Sequence, residues 1–114
     1  MLMTAVVERC DGEMQPEAPT QGLTRLRLAG PITAATSAAA RQALRESARR
    51  SNFKLLVDLQ DVTALDASGV AALLDARREI RGYAHGVMVL RANGLVIRAL
   101  KQTRTLGVFD FWTG

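Results

Sequence analysis

The order of elements in this 114-residue chain predicts the α/β fold class. Apolar runs with the composition of strands alternate with amphipathic stretches of helical period. Such alternation is typical of parallel neighbouring strands that are joined by right-handed helical crossovers. We therefore expect a small, mostly parallel sheet with helices packed on one face and an antiparallel N-terminal strand.

The length and composition predict one domain over residues 1–114, because 48% hydrophobic residues suffice for an ordinary packed core. No apolar run approaches the roughly 20 residues of a membrane span, and the N-terminus lacks the basic start of a signal peptide. A cytoplasmic protein without membrane insertion is expected. Cys10 has no nearby Cys or His at ligand spacing, so neither a disulfide nor a metal or other cofactor is expected.

The chain is basic, with 15 Lys and Arg against 11 Asp and Glu and a net charge of +4. Its basic residues recur at helical spacing, which is typical of solvated helix faces. Three such sets are Arg41, Arg45 and Arg49; Arg77, Arg78 and Arg81; and Arg98, Lys101 and Arg104. With only 4% aromatic residues for base stacking, we expect no nucleic-acid partner.

The first half of the chain has three predicted strands and one helix. Residues 3–9 have β-branched content, and residues 23–29 alternate with period two, so both ranges are predicted strands. Residues 11–22 are rich in Pro, Gly and polar side chains and form a loop, either a tolerated insertion or a partner-contacting segment. A helix from Thr36 to Arg50 has a shallow alanine-rich stripe, and the apolar run 54–59 indicates a buried strand.

The second half repeats the pattern. A helix that starts at Ser68 stops before Gly82, and a strand follows at residues 87–90. A helix over residues 95–105, capped by Asn93 and closed by Gly107, precedes a short strand at residues 108–111. The aromatic residues near the end are expected in the core or covering a sheet edge; they are Phe109, Phe111 and Trp112.

Ser68 follows Asp66 and Ala67 between a predicted strand and a predicted helix. Its hydroxyl can accept a hydrogen bond from an unpaired amide of the first helical turn, which is a capping role. A helix N-terminus also tolerates an attached phosphate, because unpaired N–H groups and the positive end of the helix dipole collect there. The local sequence leaves both roles open.

Catalysis by Ser68 would need a nearby base. The chain's one histidine, His85, falls in the turn 82–86, which is expected at the opposite end of the sheet. Asp58, Asp61 and Asp66 do not reproduce a metal-ligand spacing, and Asp66 is expected to accept amides of the strand–helix turn. The sequence therefore predicts that the protein is not an enzyme.

The stretch 57–74 closely resembles the signature of STAS domains, the family of bacterial anti-sigma factor antagonists. In that signature an apolar strand is followed by Asp-Leu, Val-Thr, Asp-Ser-Ser-Gly and an apolar helix. Residues 28–32 resemble the family's Gly-x-Leu turn, and residues 99–109 resemble its late helix and final strand. The resemblance extends over residues 24–111.

The resemblance implies a phosphorylation site at Ser68, the position that a partner serine kinase modifies in the family. Unphosphorylated, such a protein docks on an anti-sigma factor, which frees a sigma factor and regulates transcription. Thr33 replaces an Asp that many relatives have. The implied partner-binding residues are Thr33, Thr36, Asp66, Ala67, Ser68, Gly69, Ala71, Ala72 and Asp75. Similar proteins also serve as cytoplasmic subunits of lipid-handling ABC transporters or in stress-sensing assemblies, and these remain alternatives.

Overall fold

The computed structural model describes residues 2–9 and 23–112, within which five strands form one sheet in the order β1-β2-β3-β4-β5. β1 is antiparallel to β2, and all other neighbours are parallel. The predicted α/β fold with an antiparallel N-terminal strand is confirmed. The elements are β1 (Thr4–Arg9), β2 (Thr24–Ile32), α1 (Ser37–Arg50), β3 (Lys54–Leu65), α2 (Ala67–Arg81), β4 (Val87–Ala92), α3 (Gly94–Gln102), a 3₁₀ turn (Leu106–Val108) and β5 (Asp110–Phe111).

The core lies between the sheet and the three helices. Side chains alternate between the faces of a strand, and Leu55, Val57 and Leu59 of β3 are completely buried on the same face. They belong to one apolar cluster with residues of every helix, among them Leu44 of α1, Leu73 of α2 and Leu100 of α3. The helices therefore cover one face of the sheet, as the sequence predicted.

The other face of β3 is also buried. Leu56 and Asp58 are each 2% exposed, which agrees with the predicted buried strand. Asp58 accepts a 3.0 Å hydrogen bond from Nε of Arg25 and another from the Gln60 amide. Burial disfavours the charged carboxylate, but these hydrogen bonds and the charges of Arg25 and Arg91 outweigh burial, so the pKa of Asp58 is lowered from 3.8.

β2 and β3 both extend beyond the predicted strands. β3 continues from Leu59 to Leu65 because β2 runs beside it as far as the pair Ile32–Leu65. The parallel register shifts before Ala29 and between Gly30 and Pro31, where Gly30 has φ +87°. A bulged strand thus replaces the turn expected at residues 28–32. The strand at residues 87–90 is confirmed and also runs longer, to Ala92.

The C-terminal elements are shorter than predicted. α3 ends at Gln102 because Arg104 adopts φ +59° and the Thr105 amide donates to the Leu100 carbonyl. The 3₁₀ turn then leaves only two residues for β5. Phe109 is buried and Phe111 packs against the core, as predicted. The third aromatic residue, Trp112, contacts Arg91, whose guanidinium lies 4.8 Å from the centre of the ring.

The loop predicted at residues 11–22 lies outside the described residues. None of the helices in the described part of the chain is both long and apolar enough to cross a membrane.

Candidate functional site

Ser68 lies at the end of the sheet where the parallel strands finish. Asp66 alone separates the end of β3 at Leu65 from the start of α2 at Ala67. The loop 33–36 emerges at the same end, because β2 and β3 are parallel and Ile32 pairs with Leu65. This end of an α/β sheet is where such loops build functional sites.

Asp66 holds these two loops together. It is the N-cap of α2, and its Oδ1 accepts a hydrogen bond of 3.1 Å from the Gly69 amide. Its Oδ2 accepts one of 3.1 Å from the Ala34 amide in the loop 33–36. The prediction that Asp66 accepts amides at this turn is confirmed. We call these two hydrogen bonds the Asp66 bridge.

Ser68 is the second residue of α2, so it is not the residue that caps the helix. Its side chain is half-buried, and within the described residues its hydroxyl has no hydrogen-bond partner. The amides of the first helical turn and the positive end of the helix dipole lie beside it. The hydroxyl is therefore both unused by the fold and placed where an added anion is tolerated.

The loop 33–36 is ordered by its own threonine. The Thr36 hydroxyl accepts a hydrogen bond of 2.9 Å from the Thr33 amide and donates one of 2.8 Å to the Pro31 carbonyl. Ala34 and Ala35 are exposed at the tip, while both threonines are half-buried. The sequence reasoning named the threonines and missed Ala34, whose role comes from its backbone amide and leaves no signal in its side chain.

Two of the expected contact residues are inside the protein. Gly69 is buried, and a Cβ at this position would lie 2.4 Å from the Ile32 carbonyl oxygen. Ala72 is 1% exposed. Both are buried because Gly69 lets α2 approach β2 closely and Ala72 faces the core. Ala67 is exposed and Ala71 is half-buried.

Asp75 lies further along α2 and forms an ion pair with Arg41 of α1. Their side chains are 49% and 37% exposed. Arg78, one turn away, lies 3.8 Å from the same carboxylate. The sequence placed Arg41 on a solvated face, whereas the structure shows that it also links α1 to α2 beside the surface that contains Ser68.

The remaining candidates for chemistry do not meet at Ser68. His85 is exposed in the turn between α2 and β4, at the opposite end of the sheet. Asp58 lies within β3 and binds Arg25, and Asp61 is exposed in the same strand. Among the residues that the structure describes, no three His, Cys, Asp or Glu side chains are grouped as metal ligands.

Comparisons with known proteins agree with this fold. An anti-sigma factor antagonist from Mycobacterium paratuberculosis superposes with a TM-score of 0.76 and 21% identity, over 99% of this chain and 87% of its own. The anti-sigma factor antagonist SpoIIAA in its unphosphorylated form superposes with a TM-score of 0.61 and 18% identity, over 88% of this chain and 87% of its own.

Sequence comparison gives the family. No curated protein matches the chain significantly. The family profile described as "Mlab, STAS domain" matches residues 18–107, which is most of the chain and includes the whole strand–turn–helix unit around Ser68. This chain belongs to the STAS domain family.

Proposed function

We propose that this protein is a cytoplasmic anti-sigma factor antagonist that docks on an anti-sigma factor with serine kinase activity and is released when Ser68 is phosphorylated. The observation that carries the proposal is the state of Ser68, which is half-buried at a helix N-terminus with a hydroxyl that the fold does not use. Both structural relatives named above are anti-sigma factor antagonists, and one was solved in an unphosphorylated form.

The proposed docking surface consists of the exposed tip of the loop 33–36 and the first turns of α2. Small side chains dominate it, including Ala34, Ala35 and Ala67. Small side chains of this kind let a partner backbone approach the Ser68 hydroxyl closely. Asp75 supplies an acidic margin that Arg41 partly neutralises.

Phosphorylation would act on this surface through charge and hydration. A phosphate adds about −1.5 to −2 charge and a bulky hydrated group. Docking would then require removing water from that group beside the Asp66 carboxylate, which is unfavourable. The helix N-terminus offsets part of the added charge within the free protein, so the fold is retained while docking is weakened.

The test is affinity capture of the tagged protein from native lysate with ADP or with ATP, followed by mass spectrometry of the partners and of Ser68. We expect a kinase-like regulator with ADP, and its loss with ATP as Ser68 becomes phosphorylated. Ser68→Ala should keep the partner under both conditions, and Ser68→Glu should bind weakly. Ser51→Ala, at the serine that follows the last residue of α1 and lies at the opposite end of the sheet, is the control.

Normal docking by Ser68→Glu would contradict the mechanism. A second candidate function, a subunit of a lipid-handling ABC transporter, is favoured by the net charge of +4 and by Thr33 in place of the Asp that many relatives have. In that case the same capture would recover transporter subunits, their yield would not depend on ATP, and Ser68 would be unmodified.

A further inference from the structure

A second site lies at the end of the molecule opposite Ser68. A cavity of 370 Å³ opens there between the last turns of α2 and the beginning of β4. The apolar residues Ile80, Val87 and Met88 line it together with Arg77, Arg81 and Asp110, which carry charged groups. Nothing in the proposed role of Ser68 uses this cavity.

The side chains of Arg77 and Arg81 are free to bind a ligand. Within the described part of the chain, neither guanidinium has an ion-pair or hydrogen-bond partner. They stand four residues apart on α2, so their Cβ atoms are about 5–6 Å from one another on one side of the helix. The cavity therefore has two unpaired cations against one carboxylate, Asp110, and offers a surplus of positive charge to a ligand.

An aromatic pair is fixed beside the cavity. The rings of Phe53 and Tyr83 stack with their centres 3.5 Å apart, and Tyr83 is 48% exposed. Asn52 and Phe53 both have positive φ, at 53° and 62°, which is uncommon for residues other than glycine. The Phe53 carbonyl accepts a hydrogen bond of 2.8 Å from the Val87 amide, so this unusual turn is joined to the backbone of a residue that lines the cavity.

We propose that this cavity binds an acidic, extended segment of a protein partner. Alternate side chains of an extended peptide are about 7 Å apart, so two carboxylates separated by one residue match the two arginines. Arginine binds carboxylates through paired N–H groups, and an apolar side chain next to the acids can contact the apolar part of the lining, which includes Met88. Exposed aromatic and arginine side chains together are typical of the residues that dominate protein interfaces.

Binding at this cavity is independent of the state of Ser68. Arg77 is nine residues along α2 from Ser68, about 14 Å at the rise of an α-helix. That distance exceeds the Debye length of about 8 Å at physiological ionic strength, so the charge of a phosphate on Ser68 is largely screened at the cavity. The domain would then bind one partner constantly at the cavity, while phosphorylation of Ser68 controls binding at the opposite end.

The experiment measures binding of fluorescein-labelled peptides by fluorescence anisotropy. One peptide contains Glu-Ser-Glu-Leu and the other Gln-Ser-Gln-Leu. The variants are Arg77→Gln with Arg81→Gln, Arg81→Gln alone at an exposed side chain, and the control Arg45→Gln with Arg49→Gln. The control removes two arginines at the same spacing from an exposed face of α1, so both double variants lose equal net charge.

We expect the Glu peptide to bind at least 10-fold more tightly than the Gln peptide, and the Arg77/Arg81 variant to lose at least 10-fold of that affinity. Arg81→Gln alone should lose part of it, and the Arg45/Arg49 control and Ser68→Glu should stay within twofold of wild type. Equal losses in the two double variants would overturn the proposal. Binding to vesicles containing phosphatidylserine without binding to the Glu peptide would also overturn it, in favour of an anionic membrane. A changed peptide affinity in Ser68→Glu would overturn the independence from Ser68.

Discussion

Gly69→Ala tests whether the close packing of α2 on β2 builds the Ser68 site. The added Cβ would lie 2.4 Å from the Ile32 carbonyl oxygen and 2.6 Å from Cδ1 of Leu65. The leucine can rotate away, but a backbone carbonyl in a strand cannot move without disturbing the β2–β3 pairing. Overpacking of this kind costs about 1–3 kcal/mol, and alanine regains up to about 1 kcal/mol of helix propensity. We expect a net loss of about 1–2 kcal/mol in the free energy of unfolding.

Urea denaturation followed by circular dichroism measures this loss, and an unchanged m-value would show that the unfolded state is unaffected. Gly94→Ala is the matched control, because Gly94 also lies in the first turn of a helix and a Cβ there meets nothing within 4 Å. Free of a clash, it should be as stable as wild type or more stable by up to about 1 kcal/mol. If Gly69→Ala proves as stable as wild type, the carbonyl contact is not the constraint that requires glycine.

Three further changes test the polar contacts. Asp58→Asn should lower the free energy of unfolding by about 3 kcal/mol at pH 7, since it breaks a buried ion pair. Because folding lowers the pKa of Asp58 below 3.8, urea denaturation over a pH series should show the wild-type advantage complete above about pH 5 and lost as pH falls through the folded-state pKa. Asn93→Asp should lower the free energy of unfolding by about 2 kcal/mol, which thermal melts would measure, because Nδ2 no longer donates to the carbonyls of Gln60 and Val62. The cap to the Val96 amide remains in this variant. Asp66→Ala should lower the free energy of unfolding by about 1–2 kcal/mol, because it removes the N-cap of α2. It should also speed hydrogen exchange at the Ala34 and Gly69 amides. Unchanged exchange at Ala34 would mean that the Asp66 bridge does not hold the loop.

Most elements could be predicted from the sequence because their periodicity is set by burial. The apolar run that begins at Leu55 indicated a buried strand, and Asn93 was predicted to cap the helix that follows it, which the structure confirms. The end of β3 could not be predicted from the sequence in the same way. Residues 60–65 are mixed in polarity, and they extend the strand only because β2 continues beside them.

The sequence predicted which residues form the candidate site better than it predicted how they contact one another. The expectation that Asp66 fixes the turn is confirmed, because a carboxylate just before a helix has few other low-energy partners. Its second hydrogen bond, to the Ala34 amide, depends on the distance between two loops that are far apart in sequence. Arg104 ends α3 through a left-handed conformation, and nothing in its side chain indicates this.

The packing of α2 bears on how a phosphate at Ser68 would act. Val70 and Leu73 are buried in the core, and Gly69 leaves no space between the helix and the Ile32 carbonyl. A shift of α2 would therefore break close contacts along its inner side, at a cost of several buried side chains. The Ser68 hydroxyl makes no contact within the described residues whose loss would drive such a shift. Phosphorylation would thus change the charge and hydration of the docking surface while the helix stays in place, and a partner at the far end of α2 would meet the same cavity in both states.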